Sequence, residues 1–242
     1  MAVTADAAAA KAGYNPQTAM CGRIIIIVKS KNLKVHYGVD NEISLTPRYN
    51  VSPSQQHPIV RNGESGRREL TTMRWGLVPF WAKDLKVGYK MINARAETLL
   101  EKPAYKMPFQ ARRCLVPASG FYEWQRMEKA KQPYLIRLKD EELMSFAGIW
   151  EKWQLKEQDA AVESFSIITT GANKLMAPIH DRMPVIVDPA DYDSWLGGTT
   201  EEAHELLRPF DAKRMEAYAV STLVNSPKND VPECIERLPL PA

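Results

Sequence analysis

The chain has 242 residues, of which 45% are hydrophobic and 25% are charged, and this balance is typical of a soluble globular protein with one large domain. Its apolar runs are far shorter than the roughly 18 residues of a membrane-spanning helix, so we expect no membrane span. Three cysteines, without a C-x-x-C pair or a His–Cys cluster, argue against a disulfide framework and against a zinc site. We therefore expect a monomer in a reducing, cytoplasmic environment, with neither a metal nor a cofactor.

The net charge of +3 hides a strong division along the chain. Residues 61–137 hold 16 Lys/Arg and 7 Asp/Glu, whereas residues 138–242 hold 10 and 19. A surface that gathered the basic half would attract a polyanion. That half also contains Trp75, Phe80 and Trp81, and aromatic side chains among basic ones suit single-stranded nucleic acid, where bases stack and phosphates pair. The alternative is that the basic residues scatter over the surface and at least one of these aromatic residues lies in the core.

Apolar runs along the chain predict ten short strands, at residues 24–28, 58–61, 70–75, 114–117, 121–125, 134–138, 145–150, 165–170, 185–187 and 216–220. Helical patterns predict four short helices, at residues 96–101, 173–177, 189–196 and 200–207. The breaks at residues 62–66 and 152–163 predict hairpin or surface loops. Many short strands without a regular βαβ rhythm indicate an α+β fold, and the lack of a repeat or linker indicates one domain over residues 20–242.

Cys21 stands directly behind an internal methionine, in Met20-Cys21-Gly22-Arg23. If translation begins at Met20, removal of that methionine leaves a free α-amine beside the thiol, and such a 1,2-aminothiol closes a thiazolidine ring with an aldehyde. Because an α-amine has a pKa of about 7.7–8.0, against about 10.4 for lysine, roughly a tenth of it is neutral and nucleophilic near pH 7. The thiol, with a pKa of about 8.5, supplies thiolate for the second bond. The alternative for Cys21 is a small buried residue that opens a strand.

Three further polar residues lie in short motifs that fit the same chemistry. Glu123 stands among aromatic residues in Gly120-Phe121-Tyr122-Glu123-Trp124, and desolvation there raises the pKa of a carboxyl, which suits a proton donor near neutral pH. His180 precedes a predicted strand, where an imidazole can shuttle a proton. Asn93 offers an amide that donates and accepts, and can position an amine. Their respective alternatives are a strand-edge glutamate, a structural histidine and a turn residue.

Together these motifs resemble the SRAP family, the SOS response-associated peptidase or abasic-site-processing proteins, from Met20 to about Leu223. Other matching segments are Tyr49-Asn50-Val51-Ser52-Pro53, Arg74-Trp75-Gly76-Leu77-Val78-Pro79-Phe80-Trp81, Asn93-Ala94-Arg95-Ala96-Glu97, Arg113-Cys114-Leu115-Val116-Pro117-Ala118, Ala147-Gly148-Ile149-Trp150-Glu151, Phe165-Ser166-Ile167-Ile168-Thr169-Thr170 and His180-Asp181-Arg182-Met183-Pro184. The resemblance implies a mixed, partly barrel-like sheet wrapped by short helices. It also implies a role in the DNA damage response.

The resemblance further assigns positions within the site. It puts Cys21, Asn93, Glu123 and His180 at active-site positions. It places DNA contacts at Arg95 and Arg182, whose planar guanidinium groups match phosphate oxygens. The alternative for either arginine is an ion pair with a nearby acid such as Glu97 or Asp181. We also predict DNA contacts at three residues of the matching motifs, Arg23, Trp75 and Trp81.

The implied function is a sensor of abasic sites in single-stranded DNA, with the nucleoid as its location when it is bound. Cys21 would add to the C1′ aldehyde of the opened sugar through a Schiff base and then close the thiazolidine, a lyase-like DNA crosslinking reaction. Glu123 would move protons, His180 would assist protonation of the sugar oxygen and Asn93 would hold the nucleophile. The resemblance also implies a self-cleaving peptidase step that exposes Cys21.

Residues 1–19 depart from the family pattern. The resemblance implies that a family member begins with Met-Cys-Gly-Arg, whereas this chain has nineteen residues before Met20. This alanine-rich leader lacks the basic start and the apolar core of a secretory signal. A late true start, a pro-segment that is cut off and a retained, disordered extension all remain open, and the last would remove the α-amine.

Two other function classes remain open. One is a cysteine hydrolase in which Cys21 attacks an amide, with His180 as base and Asn93 lining an oxyanion site, and it would work with a blocked amine. The other is a non-covalent reader of modified or single-stranded DNA, which would survive Cys21→Ala unchanged.

Overall fold

A computed structural model of the chain describes residues 21–128, 130–154 and 161–239. The strands in these ranges are β1 (Ile24–Ile26), β2 (Arg48–Val51), β3 (Gln56–Asn62), β4 (Arg68–Trp75), β5 (Asn93–Arg95), β6 (Arg113–Ala118), β7 (Gly120–Arg126), β8 (Lys131–Leu138), β9 (Met144–Trp153), β10 (Val162–Gly171), β11 (Arg182–Pro184), β12 (Ile186–Val187) and β13 (Met215–Ala219). The α-helices are α1 (Ser30–Tyr37), α2 (Pro103–Ala111), α3 (Tyr192–Gly197) and α4 (Thr200–Glu205). Short 3-10 turns span Leu85–Lys90, Ala96–Thr98, Pro189–Asp191, Ala212–Arg214, Thr222–Asn225 and Pro232–Ile235.

Five strands close into a mixed barrel in the order β10-β4-β3-β6-β9, with β9 pairing back onto β10. The β4–β10 pair is parallel and the other pairs in this ring are antiparallel. All six residues of β6 are buried, as expected for a strand covered on both faces. Beyond the barrel, β10 continues and pairs with β5 and with β11, which carry two of the polar motifs.

A second, antiparallel sheet has the strand order β13-β8-β7-β1-β2. Side chains of alternating residues point to opposite faces of a strand. Ile24, Phe121 and Ile136 therefore pack into the main core with the barrel. Ile25 and Leu135 point the other way, into a smaller cluster with Val220 and Val224. The sheet thus lies between the barrel and residues 221–239, which we call the C-terminal strap.

Asn50 ties the C-terminal strap to this sheet. Its side-chain amide nitrogen lies 3.2, 2.9 and 2.7 Å from the carbonyl oxygens of Val224, Ser226 and Asn229. Arg23 Nη1 donates to the side-chain oxygen of Asn50 at 2.8 Å and to the Val224 carbonyl at 2.7 Å. The predicted DNA contact of Arg23 is at odds with this burial, because its guanidinium is sequestered in a structural network.

The two tryptophans of the segment 74–81 have different environments. Trp75 is 0% exposed, donates from Nε1 to the Ile92 carbonyl at 3.0 Å and stacks on Phe165. A buried indole with a satisfied donor is part of the core, so the predicted DNA contact of Trp75 is at odds with the structure. Trp81, by contrast, is 56% exposed and its neighbour Phe80 is 62% exposed. The core alternative therefore holds for Trp75 and not for the other two.

The predicted α+β class and partly barrel-like sheet are confirmed, and a strand lies at each of the ten predicted positions. Of the predicted strand 185–187, only Ile186–Val187 is a strand, β12, and β11 at Arg182–Pro184 lies just before the predicted segment. The loop predicted at residues 62–66 joins β3 to β4. For the loop predicted at 152–163, β9 and β10 extend to Trp153 and Val162, and residues 155–160 lie outside the described residues, as do residues 1–20 with the leader.

The helix predictions were less accurate. Residues 173–177 form a turn and only Ala96–Thr98 of the segment 96–101 is helical, as a 3-10 turn. Two helices were missed: α1 lacks a capping side chain and acidic residues in its first turn, and α2 contains Pro108, which argues against a helix in the sequence. No helix of the described residues is long and apolar enough to cross a membrane.

We expect Asn50→Ala to lower the free energy of unfolding by about 2–4 kcal/mol, because it leaves buried partners, including a buried cation, without their hydrogen bonds. Urea unfolding measures this loss. Asn32→Ala is the matched control, since Asn32 makes an exposed hydrogen bond to Glu142, and its effect should stay within about 0.5 kcal/mol. Equal stability of the two variants would contradict the role assigned to Asn50.

Candidate active site

The two sheets bring Cys21 and Glu123 together. Cys21 lies three residues before the start of β1, Glu123 lies in β7, and these strands pair with Ile24 opposite Phe121. The backbone nitrogen of Cys21 donates to Glu123 Oε1 at 2.5 Å, and both residues are buried. Cys21 has a φ of +42°, in the left-handed region that costs a non-glycine residue about 1–3 kcal/mol. The Glu123 carboxyl therefore holds the strained Cys21 by its backbone nitrogen, the atom on which the predicted chemistry depends.

Burial controls the acid–base behaviour of Glu123. Desolvation raises the pKa of its carboxyl, as predicted from its aromatic neighbours. Three smaller effects oppose this shift: the charge of His180, the hydrogen bonds from Cys21 and the hydrogen bond from the backbone N–H of Trp124. The carboxyl therefore keeps its proton to a higher pH than an exposed glutamate does.

The thiol of Cys21 is less acidic than an exposed cysteine. Burial raises its pKa well above the ordinary value, and the charge of Glu123 and a hydrogen bond to that carboxyl raise it further, while Arg182 acts in the opposite direction. Burial therefore opposes the expected supply of thiolate at neutral pH. The Glu123 carboxyl, which hydrogen-bonds the thiol, is the acid–base group beside the sulfur.

His180 is oriented by the chain that follows it. The backbone N–H of Arg182 donates to His180 Nδ1 at 3.1 Å, and Oδ1 of the exposed Asp181 lies 3.0 Å from the same nitrogen. These two contacts require different protonation states of Nδ1, and only a protonated ring carries the charge that lowers the pKa of Glu123. Both contacts are made at Nδ1, so Nε2 is the ring nitrogen that they leave available.

Arg182 and Arg95 share one acidic partner, Glu97. Arg182 is only 8% exposed, donates from both terminal nitrogens to Glu97, and from Nη2 to the Thr169 carbonyl at 2.6 Å. This ion pair lowers the pKa of Glu97. Arg95 is 58% exposed, with Nε 3.8 Å from Glu97. The ion-pair alternative therefore describes Arg182, whose charge serves the buried site, whereas Arg95 keeps a solvent-facing guanidinium.

The motif 93–97 meets the motif 180–184 at the end of β10. Arg95 in β5 and Pro184 in β11 both pair with Thr169, and Asn93 pairs with Ile167. Asn93 is half-buried and its carbonyl accepts from the Tyr105 hydroxyl at 3.2 Å. Sequence reasoning assigned no role to Glu97 beyond a possible ion pair, and the only signal for it was an acid two residues after Arg95.

Residues 76–92, which we call the aromatic loop, join β4 to β5 and carry Phe80 and Trp81. The ends of the aromatic loop cross closely: Gly76 has a φ of +116°, and a Cβ there would lie 2.5 Å from the Gly88 carbonyl oxygen. Only glycine fits this crossing. Three exposed lysines follow the aromatic pair, at positions 83, 86 and 90. Within the described ranges, no group of three or more His, Cys, Asp and Glu side chains is placed to hold a metal ion.

The raised pKa of Glu123 predicts a pH-dependent effect of Glu123→Gln on stability. The folded state holds this proton more tightly than the unfolded chain, so stability falls as the pH rises through the interval between the two pKa values. We expect the variant to melt a few degrees above the parent at about pH 8, with the difference vanishing toward about pH 4. Calorimetry at both pH values measures this. Glu64→Gln, at an exposed turn, is the control, and a parent that melts above Glu123→Gln at high pH would contradict the assignment.

Comparisons with known proteins identify relatives of this chain. The family model described as SOS response associated peptidase (SRAP) matches residues 20–227. The abasic site processing protein YoqW of Bacillus subtilis is 47% identical over 224 residues, which cover 90% of this chain and 99% of that protein.

More distant similarities support the same relationship. The abasic site processing protein HMCES of Gallus gallus is 36% identical over 222 residues, covering 78% of this chain and 66% of that protein. A crystal structure of a Bacteroides thetaiotaomicron protein superposes with a TM-score of 0.83 at 32% identity and covers 90% of this chain and 100% of that one. The chain therefore belongs to the SOS response associated peptidase (SRAP) family.

Proposed function

We propose that this protein processes abasic sites in DNA by forming a covalent bond through Cys21. The main support for this proposal is the 2.5 Å contact between the Cys21 nitrogen and Glu123, in a site that also contains the Cys21 thiol and His180. Two relatives reported above are named abasic site processing proteins, which supports the same substrate. In the parent chain the Cys21 nitrogen belongs to the peptide bond with Met20, so the proposal requires cleavage of that bond.

The proposed reaction uses both heteroatoms of Cys21. Its free amine adds to the C1′ aldehyde of the opened sugar, and loss of one water gives a Schiff base. The thiol then adds across the C=N bond: sulfur bonds to C1′, the thiol proton leaves to Glu123, and the nitrogen takes up a proton. Glu123 suits this exchange because it contacts both the nitrogen and the sulfur. Ring closure protects the Schiff base from β-elimination, which would break the strand.

His180 and Asn93 complete the proposed site. His180 Nε2, left free by the contact at Nδ1, would protonate the sugar oxygen during ring opening. Asn93 would hold the amine from β5, beside the segment of β10 that binds Arg182. Arg182 would counteract the cost of ionising the buried thiol.

A self-cleaving step on the same atoms is the proposed route to a free Cys21 amine, and it fits the peptidase description of the family. The thiol of Cys21 attacks the carbonyl carbon of Met20 and gives its proton to Glu123. The Met20–Cys21 C–N bond then breaks, and the nitrogen takes that proton from Glu123. Water then hydrolyses the resulting thioester, which releases residues 1–20 with a carboxylate and restores the thiol. The left-handed φ of Cys21 supports this step, because cleavage relieves the strain.

The proposed DNA surface combines Arg95 with the aromatic loop. Arg95 is exposed, and Trp81 and Phe80 present faces on which unpaired bases can stack. The three lysines of the aromatic loop add positive charge for the phosphates. Single-stranded DNA is the preferred partner in this proposal, because a duplex keeps its bases stacked on one another.

Mass spectrometry and one crosslinking gel test the cysteine chemistry. We expect a chain that begins at Cys21 to form a heat-stable conjugate with a single-stranded abasic oligonucleotide, and a chain that retains Met1 to form none. Cys21→Ser should give at most a labile imine. In the full-length protein, Cys21→Ala should block loss of residues 1–20 and Glu123→Gln should slow it, since the leaving nitrogen then lacks its proton donor.

Two outcomes would contradict this chemistry. A stable conjugate of undiminished yield from Cys21→Ala would exclude the thiazolidine and favour a different nucleophile. Conjugation by a chain shown to retain Met1 would exclude the amine and favour a hydrolase-type attack by the thiol alone. If Cys21→Ala binds abasic DNA unchanged and neither protein forms a conjugate, the protein is a non-covalent reader.

The salt dependence of DNA binding tests the proposed surface. We expect Arg95→Ala to flatten the slope of log affinity against log salt by about 0.7, the value for one phosphate contact on a single strand. Arg67→Ala is the matched control, because Arg67 is an exposed arginine that pairs with Asp40. Equal slopes for Arg95→Ala and the control would remove Arg95 from the DNA surface.

A further inference from the structure

The C-terminal strap covers the face of the five-stranded sheet that lies opposite Cys21 and Glu123. The residues of this small core are Ile25, Tyr122, Trp124, Leu135, Val220 and Val224. On β7, Glu123 points toward the barrel and its two neighbours point toward the C-terminal strap, because side chains alternate along a strand. Residues of the C-terminal strap therefore pack on the opposite face of the sheet from Cys21 and Glu123, without contacting the site itself.

The C-terminal strap contacts both strands that carry the site. Directly before β1, the Arg23 guanidinium donates to the Val224 and Asn225 carbonyls at 2.7 and 3.4 Å. On β7, Trp124 Nε1 donates to the side-chain oxygen Oδ1 of Asn225 at 2.7 Å. The Arg23 guanidinium also lies 5.9 Å from the centre of the Trp124 ring. Asn225 is thus the point at which the strap holds the residue that follows Glu123.

Trp124 connects this anchor to the catalytic carboxyl. Its indole is fixed by Asn225, while its backbone N–H donates to the Glu123 carboxyl and favours the charged form. The indole packs with Tyr122 and Val224 behind β7, so loss of its anchor would let it repack there and shift the main chain of Trp124, which carries the amide that faces Glu123. The hydrogen bond between Trp124 and Asn225, on the strap side of the sheet, therefore influences the position of the Glu123 carboxyl on the barrel side.

We propose that Asn225 is a positioning residue which, through Trp124, fixes the Glu123 carboxyl against the Cys21 nitrogen. The effect of Asn225 on the reaction rests on the proposed function, whereas its effect on the pKa of the Glu123 carboxyl does not. A purely structural Asn225 would lower stability when replaced and leave the carboxyl unchanged.

The expected direction of the change follows from the groups that face Glu123. These are the Cys21 amide and thiol, His180 and the Trp124 amide, and the buried surroundings oppose the charged form. Weakening the Trp124 amide contact removes a donor that favours the charge. The pKa of the Glu123 carboxyl, already raised, should then rise further.

Carboxyl-carbon NMR of the full-length chain, labelled at glutamate, tests this without any reaction. The Glu123 signal is identified by its loss in Glu123→Gln. We expect Asn225→Ala and Trp124→Phe, which remove the acceptor and the donor, each to move the Glu123 titration midpoint to higher pH. Because they break the same contact, the double variant should move it no further than either single variant.

The control is Arg237→Ala, which removes an exposed ion pair with Glu216 elsewhere on the C-terminal strap and should leave the midpoint unchanged. Melting curves establish that each variant is folded, and Trp124→Phe carries the test if Asn225→Ala does not fold. A midpoint that stays at the parent value in the folded variant overturns the proposal. A fully additive shift in the double variant also overturns it, since the two residues would then act separately.

The reaction gives a second readout. At saturating abasic oligonucleotide, we expect Asn225→Ala to lower the crosslinking rate by about tenfold with unchanged DNA affinity, and to move the Glu123-dependent limb of the pH profile to higher pH. If crosslinking does not depend on Cys21, the proposed function fails and the NMR titration still decides on Asn225. If crosslinking depends on Cys21 while Asn225→Ala alters neither rate nor midpoint, the positioning role alone fails.

Discussion

The hydrogen bond from the Cys21 nitrogen to Glu123 is the contact on which the rest of the site depends, and it joins residues 102 positions apart. It exists because β1 and β7 pair in one register, and a slip by one residue would turn Glu123 to the opposite face of the sheet. The barrel fills one face of that sheet and the C-terminal strap fills the other. The two layers therefore fix the register of β1 and β7, and that register places the Cys21 nitrogen against Glu123.

This arrangement lowers stability locally. A buried carboxyl and a left-handed non-glycine residue are each unfavourable, and they occur in direct contact here. The surrounding core offsets them, and the ion pair of Arg182 with Glu97 provides a charge close to the thiol at a position fixed by the Thr169 carbonyl. Unfavourable groups persist where the surrounding structure over-determines them, and the site meets that condition on both faces of the sheet.

Much of this fold follows from local pattern, because apolar runs locate strands whatever their partners are. The burial of Glu123 also follows, since its aromatic neighbours on the strand indicate an apolar setting for the carboxyl. The environments of Trp75 and Trp81 do not follow: both stand in one short segment, and only the glycine crossing of the aromatic loop separates core from surface. The burial of Arg23 does not follow either, since its partner Val224 is distant in sequence, whereas the ion pair of Arg182 with Glu97 is one of the alternatives that the sequence offered.

In the proposed function, one set of atoms serves two reactions that run in opposite directions. During cleavage the Cys21 nitrogen is a leaving group and must gain a proton; during crosslinking it is a nucleophile and must lose one. Glu123 can do both because it contacts the nitrogen and the sulfur, and because burial raises its pKa and so favours its holding a proton. The sulfur, kept protonated by the same burial, attacks only when a carbonyl or a Schiff base lies beside it and Glu123 is ready to take the proton. A more acidic thiol would be nucleophilic in the absence of substrate, so the burial that makes Cys21 slow to ionise also makes its chemistry selective.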